Sequence, residues 1–282
     1  MLETRNKIGI IGLGNMGSII AGKLAGESAE YSVFAYDKDR DKLKNAKLVT
    51  ATKDSASMAA NVDTIILAVK PQDIDHLLKE LKNCVNKSLV ISIAAGISTK
   101  HIERFLGSAR IIRAMPNIAA KIGESVTCLC KGSFAGESEL ELAKELFYYL
   151  GTVRDIDENM IDAATAISGS GPGYIFYFIE NSAVDPKNIP EHARHDMMKR
   201  LEKAAEALGF SSEDASFLAA NTVNASISLL KETGLTPEEL RIQVASKGGT
   251  TEAGLEVLRR GGSWEEAALS ALKRAGELTR KE

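Results

Sequence analysis

A glycine- and threonine-rich run near the C-terminal end of the chain has residue types that can bind an anion. It reads Ser246-Lys247-Gly248-Gly249-Thr250-Thr251, and the apolar spacing typical of a helix follows it. Glycine lets a backbone come close to a ligand, and the free N–H groups at a helix N-terminus attract a carboxylate or phosphate. An ordinary connection between two helices has the same signature. The run therefore predicts either an anion site or a plain loop.

A second glycine loop, near the N-terminus, has the spacing of a dinucleotide-binding turn. Gly12-Leu13-Gly14-Asn15-Met16-Gly17 fits G-x-G-x-x-G, follows an apolar strand and opens a helical pattern. The first glycine permits a tight turn, the second lets the backbone approach a pyrophosphate, and the third permits close packing of helix and strand. The loop predicts binding of NADH or NADPH.

The residues after the second strand bear on the choice between these two cofactors. Asp37 stands 20 residues beyond Gly17, where an acidic side chain would bind the ribose hydroxyls of NAD. Lys38 and Arg40 are cations that would favour the 2′-phosphate of NADP instead. The sequence leaves this choice open.

Further candidates for cofactor binding stand where the later strands end. In a parallel sheet these ends form one edge, at which ligands bind. The candidates are Ala68, Lys70, Pro71, Ala94 and Asn117. A solvated lysine at a strand end explains Lys70 better than a catalytic role does, whereas Asn117 either hydrogen-bonds a ligand or terminates a turn.

The predicted secondary structure changes near residue 160, from alternating strands and helices to helices alone. Five segments of the first half, 7–12, 32–36, 62–69, 88–93 and 109–113, are strand candidates, and several are apolar throughout, as in a parallel sheet covered on both faces. Helical patterns lie between them, which predicts a doubly wound α/β domain over residues 1–158. Residues 159–282 show only helical patterns, with N-terminal caps at Ser211, Thr236 and Ser263.

Bulk properties narrow the function classes. The net charge of −3 favours neither nucleic acid nor a membrane surface, and no apolar run is long enough to span a bilayer. The N-terminal residues are polar and lack the apolar core of a signal peptide, so we expect a cytoplasmic protein. The three cysteines indicate reduced thiols, and Cys128-x-Cys130 lacks nearby partners for a metal site.

Five motifs occur in an order that resembles a known family. They are the dinucleotide glycines, Lys70-Pro71-Gln72, Met115-Pro116-Asn117, Ser168-Gly169-Ser170-Gly171-Pro172 and the run at 246–251. In this the chain resembles the pyrroline-5-carboxylate reductases, the last enzymes of proline biosynthesis. The resemblance implies an N-terminal Rossmann domain that binds NAD(P)H. It also implies an all-α C-terminal dimerisation domain and a homodimer or a ring of dimers.

The resemblance also assigns roles to residues. It implies that Thr251 hydrogen-bonds the imine nitrogen, and that the backbone at Gly248, Gly249 and Thr250, with Ser246, holds the substrate carboxylate. Asn15, Met16, Lys70 and Asn117 would line the cofactor pocket. A cyclic iminium is already electrophilic, so its reduction needs little beyond positioning of donor and ring.

Two features depart from the family pattern. Lys247 stands where the family usually has proline, and it either helps to bind the carboxylate or is a solvated loop charge. Residues 181–200 are polar and suggest an insertion on the surface or at a dimer edge. His192 and His195 could share a helix face there, although no further metal ligand is evident.

The leading prediction is reduction of 1-pyrroline-5-carboxylate to L-proline. Three alternatives stay open at this point. They are reduction of a related cyclic imine, oxidoreduction of a β-hydroxy acid, and NAD(P) sensing by a catalytically inactive homologue.

Overall fold

The protein, seen here as a computed structural model described for residues 6–27, 30–85 and 87–279, divides into two compact units. The first comprises Met1–Ala114 and Leu129–Glu158, and the second comprises Met115–Cys128 and Asn159–Glu282. The sequence analysis places the segment Met115–Cys128 in the first domain. In the structure this segment belongs to the helical unit. Most of the polar N-terminal stretch (residues 1–5) lies outside the described residues.

The described residues form an eight-stranded sheet in the order β3-β2-β1-β4-β5-β6-β7-β8. The strands are β1 (Asn6–Ile11), β2 (Tyr31–Tyr36), β3 (Thr50–Ala51), β4 (Thr64–Leu67), β5 (Leu89–Ser92), β6 (Arg110–Met115), β7 (Ser125–Lys131) and β8 (Gly151–Asp155). Each neighbouring pair from β3 to β6 is parallel. The predicted parallel sheet is confirmed, and three strands, β3, β7 and β8, are additions to the five predicted ones.

The central strands are buried on both faces, as their continuous apolar sequences predict. All four residues of β4 and all four of β5 are buried, and Ile65, Ile66 and Val90 are fully inaccessible. Such strands need helices on both sides of the sheet. The sheet is thereby held firmly enough to place the loops at its edge.

Six helices belong to the described part of the first unit. They are α1 (Asn15–Glu27), α2 (Arg40–Asn45), α3 (Ser55–Ala59), α4 (Ile74–Leu81), α5 (Thr99–Leu106) and α6 (Glu137–Tyr148). Helix α1 begins inside the glycine loop, directly after β1. The alternation of strand and helix along the described chain confirms the doubly wound class.

After residue 158, the regular secondary structure in the described part of the second unit consists of helices. Its helices are α7 (Ile161–Ala164), α8 (Gly171–Glu180), α9 (Glu191–Ala207), α10 (Ser212–Thr233), α11 (Pro237–Val244), α12 (Thr250–Arg259) and α13 (Trp264–Thr279). A π-helical turn, Thr165–Gly169, joins α7 to the start of α8. Alanines such as Ala204, Ala219 and Ala271 are buried where the helices pack, because small side chains permit close approach.

Capping residues that can be recognised in the sequence mark the starts of three of these helices. Ser211 caps α10 by accepting the N–H of Asp214, and Thr236 forms a capping box with Glu239 at α11. The Ser263 hydroxyl accepts the N–H of Glu266 just before α13. All three predicted caps are confirmed.

The polar segment 181–200 contains both a connection and half a helix. Helix α9 begins at Glu191, and its Ala193 and Met197 are buried in the second unit. Residues 191–200 are therefore not a purely surface excursion, because one face of this amphipathic stretch belongs to the helical core, and an insertion at 181–200 or at a dimer edge stays a prediction. His192 and His195 are exposed on α9. Across the described residues, no helix combines the length and apolar character that crossing a bilayer requires.

Candidate active site

The N-terminal glycine loop is held so closely that two of its glycines admit no side chain. Gly12 has φ +98°, donates its N–H to the Tyr36 carbonyl at 2.8 Å, and would place a Cβ 2.6 Å from the Ala68 carbonyl oxygen. A Cβ on Gly17 would lie 1.9 Å from the Gly12 carbonyl oxygen. Gly14, by contrast, has open space around its missing Cβ. The loop is packed on its inner side and open at its middle glycine, which fits a pyrophosphate resting on the backbone.

The start of α1 is electrostatically suited to that pyrophosphate. Asn15 is exposed and Met16 half-buried, and the first turn carries no acidic side chain. The unpaired N–H groups of this turn and the positive end of the helix dipole therefore favour a negatively charged ligand.

Asp37 has a bracing role that the sequence did not reveal. Its carboxylate oxygens accept the N–H of Leu13 at 2.6 Å and the N–H of Asp39 at 2.8 Å. Lys42 lies 3.5 Å away and offsets the negative charge of this buried group. A carboxylate has further lone pairs, so this bracing is compatible with a bond to ribose.

The cations beside Asp37 have partners within the first unit. Lys38 is largely exposed and forms an ion pair with Asp73 at 3.1 Å, and Arg40 donates to the Lys53 carbonyl at 3.0 Å. An exposed pair of this kind is worth at most about 1 kcal/mol, so Lys38 can exchange Asp73 for a ligand phosphate at little cost.

The strand ends bring most of the predicted cofactor residues to one edge of the sheet. Ala68 follows β4 and donates its N–H to the Ile11 carbonyl at 2.8 Å, beside the glycine loop. Lys70 is exposed and precedes the 3₁₀ turn Pro71–Asp73, and Ala94 is buried just after β5. These positions lie at the carboxyl ends of parallel strands, where such folds bind ligands.

Asn117 belongs to the second unit and has structural bonds there. Its side chain accepts the N–H of Ala119 at 3.1 Å and donates to the Ser168 carbonyl at 3.1 Å. Its own N–H donates to the Ser125 hydroxyl at 3.0 Å. This agrees with the alternative of a residue that terminates a turn, and its contact with the cofactor stays a prediction.

The run at 246–251 forms a tight turn that favours glycine at positions 248 and 249. Gly248 has φ +70°, in the left-handed region, and the Gly249 N–H donates to the Ser246 carbonyl at 2.9 Å. A Cβ on Gly249 would lie 2.3 Å from the Ser246 hydroxyl oxygen. Lys247 is exposed in this turn.

Two charged side chains that sequence reasoning missed hold Gly248 in place. The Glu252 carboxylate accepts its N–H, and the Arg274 guanidinium donates to its carbonyl oxygen at 2.8 Å. In this structure that N–H has a charged acceptor, which gives Gly248 a bracing role, and its donation to the substrate carboxylate stays a prediction. Glu252 follows Gly248 by four residues, so the local sequence could have indicated its contact. Arg274 is 26 positions away, and no sequence pattern indicates its contact.

The N-terminus of α12 remains available to an anion. Gly249 caps this helix without a side chain, so it provides no acceptor for the first-turn N–H groups of Thr250 and Thr251. Unsatisfied N–H groups at a helix start bind carboxylates. The first turn of α12 is therefore the part of the predicted anion site that has no side-chain cap, and its binding of a carboxylate stays a prediction.

Three hydroxyl groups meet directly behind that turn, and Ser170, Thr250 and Thr251 together form what we term the hydroxyl cluster. The Thr251 hydroxyl donates to Ser170 Oγ at 3.1 Å, and Ser170 Oγ lies 3.1 Å from Thr250 Oγ1. Ser170 is fully buried and Thr251 is 5% exposed. A Cβ on Gly173 would lie 2.5 Å from Thr251 Cγ2, so this glycine makes the room that Thr251 occupies.

A buried tyrosine lies beside the hydroxyl cluster. Burial raises the pKa of the Tyr174 phenol, and the nearby Ser170 hydroxyl acts against that rise. The phenol oxygen itself forms no hydrogen bond within the described structure. Tyr174 is therefore neutral near pH 7 and contributes an apolar wall. Among the residues described, no group of three or more His, Cys, Asp or Glu side chains could hold a metal.

Family models match both halves of the chain. One described as NADP oxidoreductase coenzyme F420-dependent matches residues 7–96, and one described as pyrroline-5-carboxylate reductase dimerisation matches residues 195–281. The pyrroline-5-carboxylate reductase of Methanosarcina acetivorans is 36% identical over 285 residues, with 98% of each chain covered.

Solved structures agree with these matches. A pyrroline-5-carboxylate reductase from Coxiella burnetii is 32% identical, with a TM-score of 0.65, and the match covers 98% of this chain and 100% of the other. The Plasmodium falciparum pyrroline carboxylate reductase with NADP bound is 26% identical, also with a TM-score of 0.65, over 97% of this chain and 98% of the other.

Proposed function

The chain belongs to the pyrroline-5-carboxylate reductase family, and from this we propose that it reduces 1-pyrroline-5-carboxylate to L-proline with NAD(P)H. The observation that carries the proposal within the structure is the uncapped N-terminus of α12 with the Thr251 hydroxyl beside it. That pairing suits a substrate whose carboxylate stands one carbon away from an imine nitrogen.

The first unit is the dinucleotide-binding domain of this proposal. Gly12, Gly14 and Gly17 provide a backbone cradle for the pyrophosphate, and Asp37 braces that cradle through the Leu13 N–H. The bound cofactor supplies a hydride to the imine carbon. The residues of this unit contribute binding and orientation.

The second unit holds the substrate. The backbone N–H groups of Thr250 and Thr251 bind the carboxylate at the positive end of α12, and the Thr251 hydroxyl addresses the ring nitrogen. Glu252 and Arg274 fix the turn through the N–H and the carbonyl oxygen of Gly248, respectively. Fixed donors accelerate a reaction because they need no reorganisation when the reaction occurs.

The match of residues 195–281 to the family model for reductase dimerisation supports self-association through the helical unit. We propose a homodimer, which in this family sometimes extends to a ring of dimers. A cytoplasmic location is our proposal as well, and it rests on the biosynthetic relatives.

The proposal predicts that purified protein oxidises NAD(P)H only when 1-pyrroline-5-carboxylate is present. Steady-state rates measured by the loss of nicotinamide absorbance, with NADH and with NADPH in parallel, test this and rank the two cofactors. That ranking also decides between the opposing signals of Asp37 and Lys38. Absence of turnover with both cofactors would refute the function.

A further inference from the structure

A donor and an acceptor can be assigned in each hydrogen bond of the hydroxyl cluster. Thr251 Oγ1 is the donor in its bond to Ser170 Oγ, so the Thr251 proton points to the buried serine. Ser170 has one proton of its own, and its other hydrogen-bond partner is Thr250 Oγ1 at 3.1 Å. The Tyr174 oxygen forms no hydrogen bond and so does not accept that proton. Either oxygen could donate in the bond between Ser170 and Thr250, and we assign the donation to Ser170 because Thr250 Oγ1 is the acceptor within reach of its proton. With this assignment the protons run from Thr251 to Ser170 to Thr250.

The two threonines at the ends of the hydroxyl cluster present different hydrogen-bonding groups to a ligand. Thr251 has its proton engaged and presents an oxygen lone pair. Thr250 accepts from Ser170 and has its own proton free to donate outwards. Each bond in a row of hydroxyls polarises the next, so Ser170 strengthens both ends.

Resting on the proposed function, we infer that Ser170 is a positioning residue that sets Thr251 to accept, and Thr250 to donate, a hydrogen bond. The substrate that matches is the zwitterion of 1-pyrroline-5-carboxylate, with a protonated ring nitrogen and an ionised carboxylate. Its N–H meets the Thr251 lone pair and its carboxylate meets the Thr250 hydroxyl. The hydroxyl cluster thereby selects the protonated form of the imine.

The reaction balances without a proton from the enzyme. The hydride and its electron pair form the new C–H bond at the imine carbon. The π electrons of the C=N bond become the lone pair of the ring nitrogen, which keeps the proton it brought. The hydroxyl cluster holds the ring N–H throughout, and none of its members changes protonation.

The test uses two ring ligands that differ in the atom facing Thr251. L-Proline presents ring N–H donors, whereas tetrahydrofuran-2-carboxylate presents an oxygen acceptor and keeps the carboxylate. Their inhibition constants are measured against NAD(P)H oxidation in the wild type, Ser170→Ala and Ser170→Cys. Ser226→Ala is the matched control, since Ser226 is also buried and its hydroxyl donates to the Thr222 carbonyl at 2.7 Å.

With Ser170 replaced, the Thr251 proton becomes free to turn towards a ring oxygen. We expect the preference for L-proline over the oxygen analogue to fall about tenfold relative to the wild type, the scale of one hydrogen bond to a charged group. Ser226→Ala should leave the preference unchanged. A purely structural role of Ser170 would weaken both ligands equally.

An unchanged preference in a folded Ser170 variant overturns the inference, whatever happens to turnover. Ser170→Cys keeps the side-chain volume and serves if the alanine variant does not fold. A wild type that never reduces 1-pyrroline-5-carboxylate would instead overturn the proposed function. The two failures are therefore distinguishable.

Discussion

Replacing Thr251 with valine should lower kcat about a hundredfold, the scale observed when one preorganised hydrogen-bonding group is removed from a reacting centre. Valine keeps the branched shape that fits against Gly173 and removes only the hydroxyl. The ring nitrogen then loses its partner, and Ser170 loses the donor at one side. Single-turnover kinetics with saturating NAD(P)H would measure the loss, and fluorescence titration should show unchanged cofactor affinity.

The control for this variant lies on a neighbouring helix. Thr222 on α10 is fully buried and its hydroxyl has no partner in the described structure, so Thr222→Val makes the same chemical change without touching the hydroxyl cluster. It should keep wild-type turnover. Thr251→Ser retains the hydroxyl and should recover most of the activity. Near-normal turnover by Thr251→Val would remove Thr251 from the mechanism.

Replacing Gly17 with alanine should abolish useful cofactor binding, with at least a tenfold rise in the Kd for NAD(P)H. The added Cβ would lie 1.9 Å from the Gly12 carbonyl oxygen, and neither atom can move away without distorting the loop that carries the pyrophosphate. We also expect the free energy of unfolding to fall by about 1–3 kcal/mol, as is typical of overpacking. Calorimetric titration and denaturant unfolding measure the two effects.

Gly22 provides the matched control, five residues further along α1. A Cβ there would have nothing within 4 Å, so Gly22→Ala adds the same methyl group in the same helix without a clash. Alanine is the better helix former by up to about 1 kcal/mol, so this variant should be slightly more stable and bind NAD(P)H normally. Equal cofactor affinities of the two variants would contradict the role given to Gly17.

The sequence was a good guide wherever a feature depends on neighbouring residues. The close spacing of Gly12 and Gly17 reflects a local turn, and the continuous apolar runs of β4 and β5 reflect burial on two faces. The caps at Ser211 and Thr236 are local as well. Each of these physical causes acts over a few residues, so each leaves a pattern that can be recognised in the chain.

Contacts between distant residues left no such pattern. Ser170 and Thr251 are 81 positions apart, and Arg274 reaches Gly248 across 26 positions. Only packing of the helices brings these groups together. The stretch before α8 also gave no local signal of its shape: Thr165–Gly169 is a π-helical turn, in which the Ser170 N–H bonds the Thr165 carbonyl at 2.8 Å.

The most direct test of the account follows the hydride itself. NAD(P)H carrying deuterium at the transferable position of the nicotinamide ring is mixed with 1-pyrroline-5-carboxylate and enzyme, and the product is examined by NMR and chiral chromatography. We predict L-proline with one deuterium, at the former imine carbon. Proline without deuterium, or cofactor that stays reduced beside unchanged substrate, would contradict the account.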